Sequence, residues 1–159
     1  MEVRIQVKIN ASDLYDYMMR HQYTSASGVI GSGVGGILTV CGLYLKEWAF
    51  VLAGLVVLLY LPVTLFLKSR QQIKFNKAFA QEMTYILNEE GLTVQVGEES
   101  GSCPWEQIVK AVSTTRSIFL YTSSINATII PKRFLNDKKE DVIRVICTHM
   151  PPRKVKIKE

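Results

Sequence analysis

The chain opens on a strict alternation. Val3, Ile5, Val7 and Ile9 are apolar, and Arg4, Gln6 and Lys8 between them are polar. A period of two predicts a strand with one buried face. A single strand is not stable alone, so this one should join a sheet made by residues far along the chain. Asn10 or Ser12 is then placed to cap a helix over residues 11–23, with Leu14, Tyr17, Met18 and Tyr23 on its apolar side.

Two long apolar runs follow, ASGVIGSGVGGILTVCGLYL at 26–45 and WAFVLAGLVVLLYLPVTLFL at 48–67. As helices, runs of roughly 20 residues reach about 30 Å, the hydrocarbon thickness of a bilayer. Only Lys46 and Glu47 separate them, which predicts a tight helical hairpin with Tyr44 and Trp48 as interfacial aromatics. Neither run contains Asp, Glu, Lys or Arg, so neither offers the buried ionisable group that an ion or proton path needs. A secretory leader does not fit, because the first run starts late and follows Asp13 and Asp16.

The first run is rich in glycine. Gly31 and Gly35 form a GxxxG pair, and Gly28, Ser32 and Gly36 form a second small ridge. Small residues let helix backbones approach closely. The expected partner is the second run, through Ala49 and Ala53; a homodimer interface is the competing use. Pro62 has no N–H to give the Leu58 carbonyl, which predicts a kink.

Beyond residue 67 the pattern changes again. Phe75, Phe79 and Met83 recur every four residues, which predicts that the helix continues with a stripe facing either protein or lipid. The runs TYIL and LTVQV flank a hairpin turn at residues 88–91. Ser100, Gly101 and Ser102 predict a second turn. SIFLYT and NATIIP are rich in β-branched and aromatic residues and read as strands, the second ended by Pro131. Asp137, with Glu140 three residues on, predicts the start of a last helix. Its apolar face is Val142, Val145, Ile146 and His149, and Pro151 and Pro152 stop it.

These elements define an α+β membrane protein. Residues 1–25 form an N-terminal strand and helix, 26–67 a transmembrane hairpin, and 68–159 a small cytosolic antiparallel β domain with a basic tail. The N-terminal strand joins the sheet and a C-terminal helix closes it. A helix closing a small curved antiparallel sheet is the arrangement of pleckstrin-homology-like (PH-like) domains.

Composition supports this division. Of 159 residues, 48% are hydrophobic and 21% charged, near the globular average, but the charges crowd the ends. The net charge is +5. Lys68, Arg70, Lys74 and Lys77 follow the second run, while the hairpin turn has only Lys46. That asymmetry accounts for the excess as an orientation signal with both termini cytoplasmic, and leaves little reason to invoke nucleic acid. Arg153, Lys154, Lys156 and Lys158 make the tail basic. Cys41, Cys103 and Cys147 are scattered, with no CxxC pair and no His/Cys ligand spacing, so reduced thiols and no metal are expected.

Candidate sites are few. Lys132 and Arg133 follow Pro131 at a strand end; with Lys68, Arg70, Lys74 and Lys77 they are candidates for contact with anionic lipid or an acidic partner. Trp105, after Pro104, is expected to plug the core. His21 and His149 are the only histidines, and no catalytic set or phosphate loop surrounds them. No enzyme and no cofactor are expected.

The chain resembles the YcxB-like family of bacterial membrane proteins. The likeness rests on Tyr85-Ile86-Leu87-Asn88-Glu89-Glu90-Gly91-Leu92, then Trp105-Glu106-Gln107-Ile108, then Phe119-Leu120-Tyr121, then Ile129-Ile130-Pro131-Lys132-Arg133-Phe134. It covers roughly residues 75–150. It implies a membrane location with a PH-like C-terminal domain and no particular reaction. The expected role is a non-enzymatic, membrane-tethered interaction module in the bacterial cytoplasmic membrane. Its partners would be membrane lipids and a membrane protein or a second copy of itself. The alternatives are a bacteriocin immunity or envelope-stress factor, or an accessory subunit of a transporter.

Overall fold

A computed structural model describes residues 2–76, 79 and 81–157. The protein is α+β, with two long apolar helices and antiparallel sheets. It divides into two compact units: residues 1–14 with 73–159, and residues 15–72.

The first unit is built on two four-stranded sheets. Strands β1 (Val3–Val7), β2 (Met83–Leu87), β3 (Gly91–Val96) and β4 (Glu99–Pro104) form one, in that order and antiparallel throughout. The N-terminal strand joins a sheet as its alternation requires, with Ile5 opposite Tyr85 and Val3 opposite Leu87. The inner rows across the sheet are Val3–Leu87–Leu92–Cys103, Ile5–Tyr85–Val94–Gly101 and Val7–Met83–Val96–Glu99. The second sheet contains β5 (Lys110–Ser113), β6 (Ser117–Tyr121), β7 (Ala127–Pro131) and β8 (Val155–Lys156), in the order β7-β6-β5-β8. Among the described residues only β8 runs parallel to its neighbour, and it joins through Ala111 opposite Val155. Every residue of β6 is buried, and from Ile118 to Tyr121 this central strand reads as a continuous apolar run rather than an alternation.

The remaining helix of this unit, Lys139–His149, buries Val142, Val145 and Ile146. Asp137 does not cap it. Residues Asn136–Lys138 form a 3-10 turn, and the cap position is Lys138, which makes no side-chain capping bond. Asn136 takes a positive φ there, a conformation asparagine tolerates well.

Two other expectations are corrected. Ser100, Gly101 and Ser102 are not a turn but the middle of β4. The reversal is the two-residue loop Gly97 and Glu98, closed by Val96 opposite Glu99, with Gly97 supplying the positive φ that a two-residue hairpin demands. Local composition suggested a loop; pairing to β3 overrode it. The stripe Phe75–Phe79–Met83 is likewise not one helix face, because the helix ends at Phe75 and Met83 is a buried residue of β2. Cross-strand partners Val7 and Val96 fix Met83 more strongly than helix periodicity does.

The second unit is helical. It contains α1 (Ala11–Tyr23, from residue 15 on), α2 (Ala26–Leu45) and most of α3 (Trp48–Phe75); the helix Lys139–His149 is α4. Ser25 caps α2, its hydroxyl accepting from the Gly28 N–H at 3.2 Å. At the other end the Glu47 N–H reaches the Gly42 carbonyl at 2.9 Å and the Lys46 N–H reaches the Leu43 carbonyl at 3.3 Å. That pair of bonds is a Schellman cap, with Lys46 in the left-handed position usually held by glycine. It turns the chain within two residues. α3 then runs as one 28-residue element through Pro62. Tyr15 of α1 meets Phe66 of α3 edge-to-face at 6.0 Å.

Candidate functional site

Asn10 and Asp13 have the spacing of a helix-capping pair, and they behave as one. The Asp13 N–H donates to Asn10 Oδ1 at 3.0 Å, and the Asn10 N–H donates to Asp13 Oδ2 at 2.9 Å. Asp13 is only 2% exposed. A buried carboxylate needs a cationic partner, and Arg133 supplies it from beyond the end of β7. Its guanidinium forks onto both carboxylate oxygens, with Nη2 to Oδ2 at 2.6 Å, and also donates to the Lys8 carbonyl at 3.0 Å. The fork geometry is one that arginine provides and lysine does not. The hydrogen bond to Asp13 holds the Arg133 guanidinium above its ordinary pKa. Tyr85 is also pushed upward, first by burial and then by the Asp13 charge. A second arginine reinforces the joint: Arg116 Nη1 donates to Ser12 Oγ at 2.6 Å, and the Lys132 N–H donates to the Arg116 carbonyl at 2.8 Å.

The strand end at Pro131 is therefore a fastening point for the first turn of α1. Arg133 directs its donors at Asp13 and Lys8, with Phe134 beneath its face at 4.6 Å. Of the other candidate cations, Lys68, Arg70 and Lys74 are exposed on the last turns of α3, with Arg70 over the Phe66 ring at 4.7 Å. Lys77, like Lys158 of the basic tail, lies outside the described residues. Lys68 and Arg70 belong to the helical unit, and Lys74, Lys132 and Arg133 to the β unit.

Trp105 is buried, and its indole N–H donates to the Asn88 carbonyl at 2.8 Å while the ring stacks on His149 at 5.4 Å. It ties the β2–β3 turn to the end of α4, which is the plug role its size predicts. The Asn88 side chain accepts from the N–H groups of Glu90 and Gly91, shaping the same turn. Gly91 is required there for space: a Cβ would lie 2.2 Å from the Cys103 carbonyl oxygen.

The glycine ridges are only partly used. Gly35 faces Leu58 and Val57, Gly42 faces Val51, and Gly54 lies against Thr39 and the Gly35 carbonyl. The second helix thus meets the first through Val51, Gly54 and Leu58. Ala49 and Ala53, the expected partners, are exposed. Gly28 sits against the Gln22 carbonyl of the preceding bend. Gly31 and Gly36 meet nothing within 4 Å, and Ser32 is half-buried.

Among the described residues no cluster of His, Cys, Asp and Glu has the geometry to hold a metal ion. Cys41 and Cys147 are exposed free thiols; Cys103 is half-buried and burial pushes its thiol upward.

Sequence reasoning passed over two features. The Asp13–Arg133 pair joins residues 120 apart, and its only local signal was the Asn10–Asp13 spacing. The outer edge of β4 was hidden because Ser100–Gly101–Ser102 reads as a turn.

Residues 87–146 match the family model of the YcxB-like protein, from the end of β2 to Ile146 in α4. The chain carries a YcxB-like domain. No curated protein and no solved structure matches the chain.

Proposed function

We propose that this is a non-enzymatic, membrane-tethered interaction module, with a transmembrane hairpin of α2 and α3 and a cytosolic PH-like domain. The observation that carries the reading is the exposure of the two apolar helices. Their most apolar windows are only 17% and 11% buried, whereas the core helix of a soluble protein is mostly buried. Val29, Ile30, Ile37, Val40, Leu52 and Val56 each expose more than half of their surface. Apolar area on that scale needs lipid or protein to cover it.

Further support comes from the strand order. A four-stranded meander, a three-stranded meander and then a helix is the PH-like sequence of elements, with β8 as an addition. Lys68, Arg70 and Lys74 at the exit of α3 favour cytoplasmic termini in a bacterial-type inner membrane, where they would meet anionic headgroups.

The test is fractionation followed by purification in mild detergent. The protein should stay in the membrane pellet through alkaline carbonate and carry a near-stoichiometric partner protein. That partner should remain when residues 26–67 are exchanged for an unrelated two-helix hairpin. Release by carbonate removes the membrane assignment. Loss of the partner on exchange moves the function into the hairpin.

A further inference from the structure

The two edges of the first sheet are finished differently. The free side of β1 is partly covered: Lys138 Nζ donates to the Arg4 carbonyl at 2.9 Å and, just past the strand, Arg133 donates to the Lys8 carbonyl at 3.0 Å. The free side of β4 has no such cover among the described residues. Its first four residues, Glu99, Ser100, Gly101 and Ser102, are exposed. The two-residue loop at 97–98 makes Val96 and Glu99 the hydrogen-bonded pair that closes the hairpin. Pairs then alternate along the ladder, so Gly101 and Cys103 bond to β3 while Ser100 and Ser102 send their backbone N–H and C=O groups outward. An unprotected edge of this kind is a template for a further strand.

The same edge borders a groove of about 850 Å³ lined by Gln81, Val94, Val96 and residues 97–101. Val94 and Val96 are half-buried on the inner face, and Gly101 stands opposite Val94 with open space where a side chain would be. A strand added to β4 can therefore lay an apolar side chain over Gly101 onto Val94. The stretch of chain that forms this edge carries one sign of charge. Residues 81–109 contain six glutamates, Glu82, Glu89, Glu90, Glu98, Glu99 and Glu106, and no lysine, arginine or histidine, in a chain whose net charge is +5.

We infer that the outer edge of β4 is a docking site for an extended, basic segment of a partner protein, bound by strand addition with apolar side chains facing the groove and Lys or Arg near Glu98 and Glu99. Main-chain hydrogen bonds would supply affinity, and the carboxylates would select for positive charge. The inference deepens the interaction-module reading and rests on it.

The test uses the full-length protein in detergent micelles and a fluorescein-labelled synthetic Lys/Val peptide, alternating Thr and Val between Lys-Lys ends, followed by anisotropy. A Glu/Val peptide of the same length is the control. The Lys/Val peptide should bind and weaken with salt, the Glu/Val peptide should not, and amide exchange at Ser100 and Ser102 should slow on binding. Ser102→Pro removes one outward N–H without touching a bond to β3 and should lower affinity about tenfold or more. Glu98→Lys with Glu99→Lys, exposed in the loop and at the start of β4, leaves the backbone ladder intact and should weaken binding about tenfold. Equal binding of both peptides, no binding, or binding indifferent to both variants overturns the inference. A concentration-dependent dimer lost in Ser102→Pro, without peptide binding, assigns the edge to a second copy instead. A natural partner still carried by Ser102→Pro overturns the edge and leaves the module reading standing; absence of any partner from wild type counts against that reading itself.

Discussion

Arg133 holds the buried carboxylate of Asp13 across 120 residues of chain, through hydrogen bonds to both of its oxygens. The pair fixes the first turn of α1 to the end of β7. Arg133 itself is partly exposed, while Asp13 is not. Removing the arginine therefore costs more than a surface ion pair would, because a nearly buried charge loses its partner.

Arg133→Ala should destabilise the β unit by about 2 kcal/mol, the scale of a hydrogen-bonded charge left unsatisfied. Arg133→Lys should recover only part, since a single ammonium cannot span two oxygens. Thermal unfolding of the two variants in detergent, read against wild type, decides this; equal midpoints would mean that Asp13 finds other partners.

Tyr85 gives a pH dependence of known sign. Its phenol is held protonated above the ordinary tyrosine value by burial and by Asp13. Above about pH 10 the unfolded chain releases a proton that the folded one keeps, so the contribution is intact below that pH and is lost as pH rises further. Tyr85→Phe should behave like wild type near neutrality and lose less stability on the alkaline side. Parallel unfolding midpoints of the two proteins across the alkaline range would contradict this.

The glycines of the hairpin should separate into two groups. A Cβ at Gly54 would lie 2.6 Å from the Thr39 backbone nitrogen and 2.7 Å from the Gly35 carbonyl oxygen, so Gly54→Ala should cost about 1–3 kcal/mol. Gly31→Ala and Gly36→Ala enter open space and should be neutral or slightly stabilising through helix propensity. Heat-induced loss of monodisperse protein in detergent would rank the three.

Lys46 occupies a left-handed backbone position, φ 58°, inside the Schellman cap that turns α2 into α3. Lys46→Gly should relieve about 1 kcal/mol of strain, and Lys46→Val should add to it. The same unfolding measurement reads both. A stabilising Lys46→Val would show that the turn does not keep this geometry.

Much of the architecture was legible in residue order because it depends on near neighbours. The alternation at Val3–Val7 marked a half-buried strand, and the apolar runs at 26–45 and 48–67 coincide with α2 and the start of α3. Trp105 was legible as a plug by size alone. The motifs around Trp105, Phe119 and Pro131, and Leu87–Leu92 of the one around Asn88, fall within the residues that match the YcxB-like family model, while Tyr85 and Ile86 precede them.

What only the tertiary structure decided depends on residues brought together from far apart. Ser100–Gly101–Ser102 has turn composition, yet pairing with β3 makes it a strand, with all three residues exposed. Arg133 reads as a solvated cation until Asp13 is placed beside it. The choice of Gly54 over Ala49 and Ala53 follows from which faces of the two helices meet, which no local pattern encodes. Periodicity names the face of an element that is buried; the partner on that face is fixed only when the whole chain has folded.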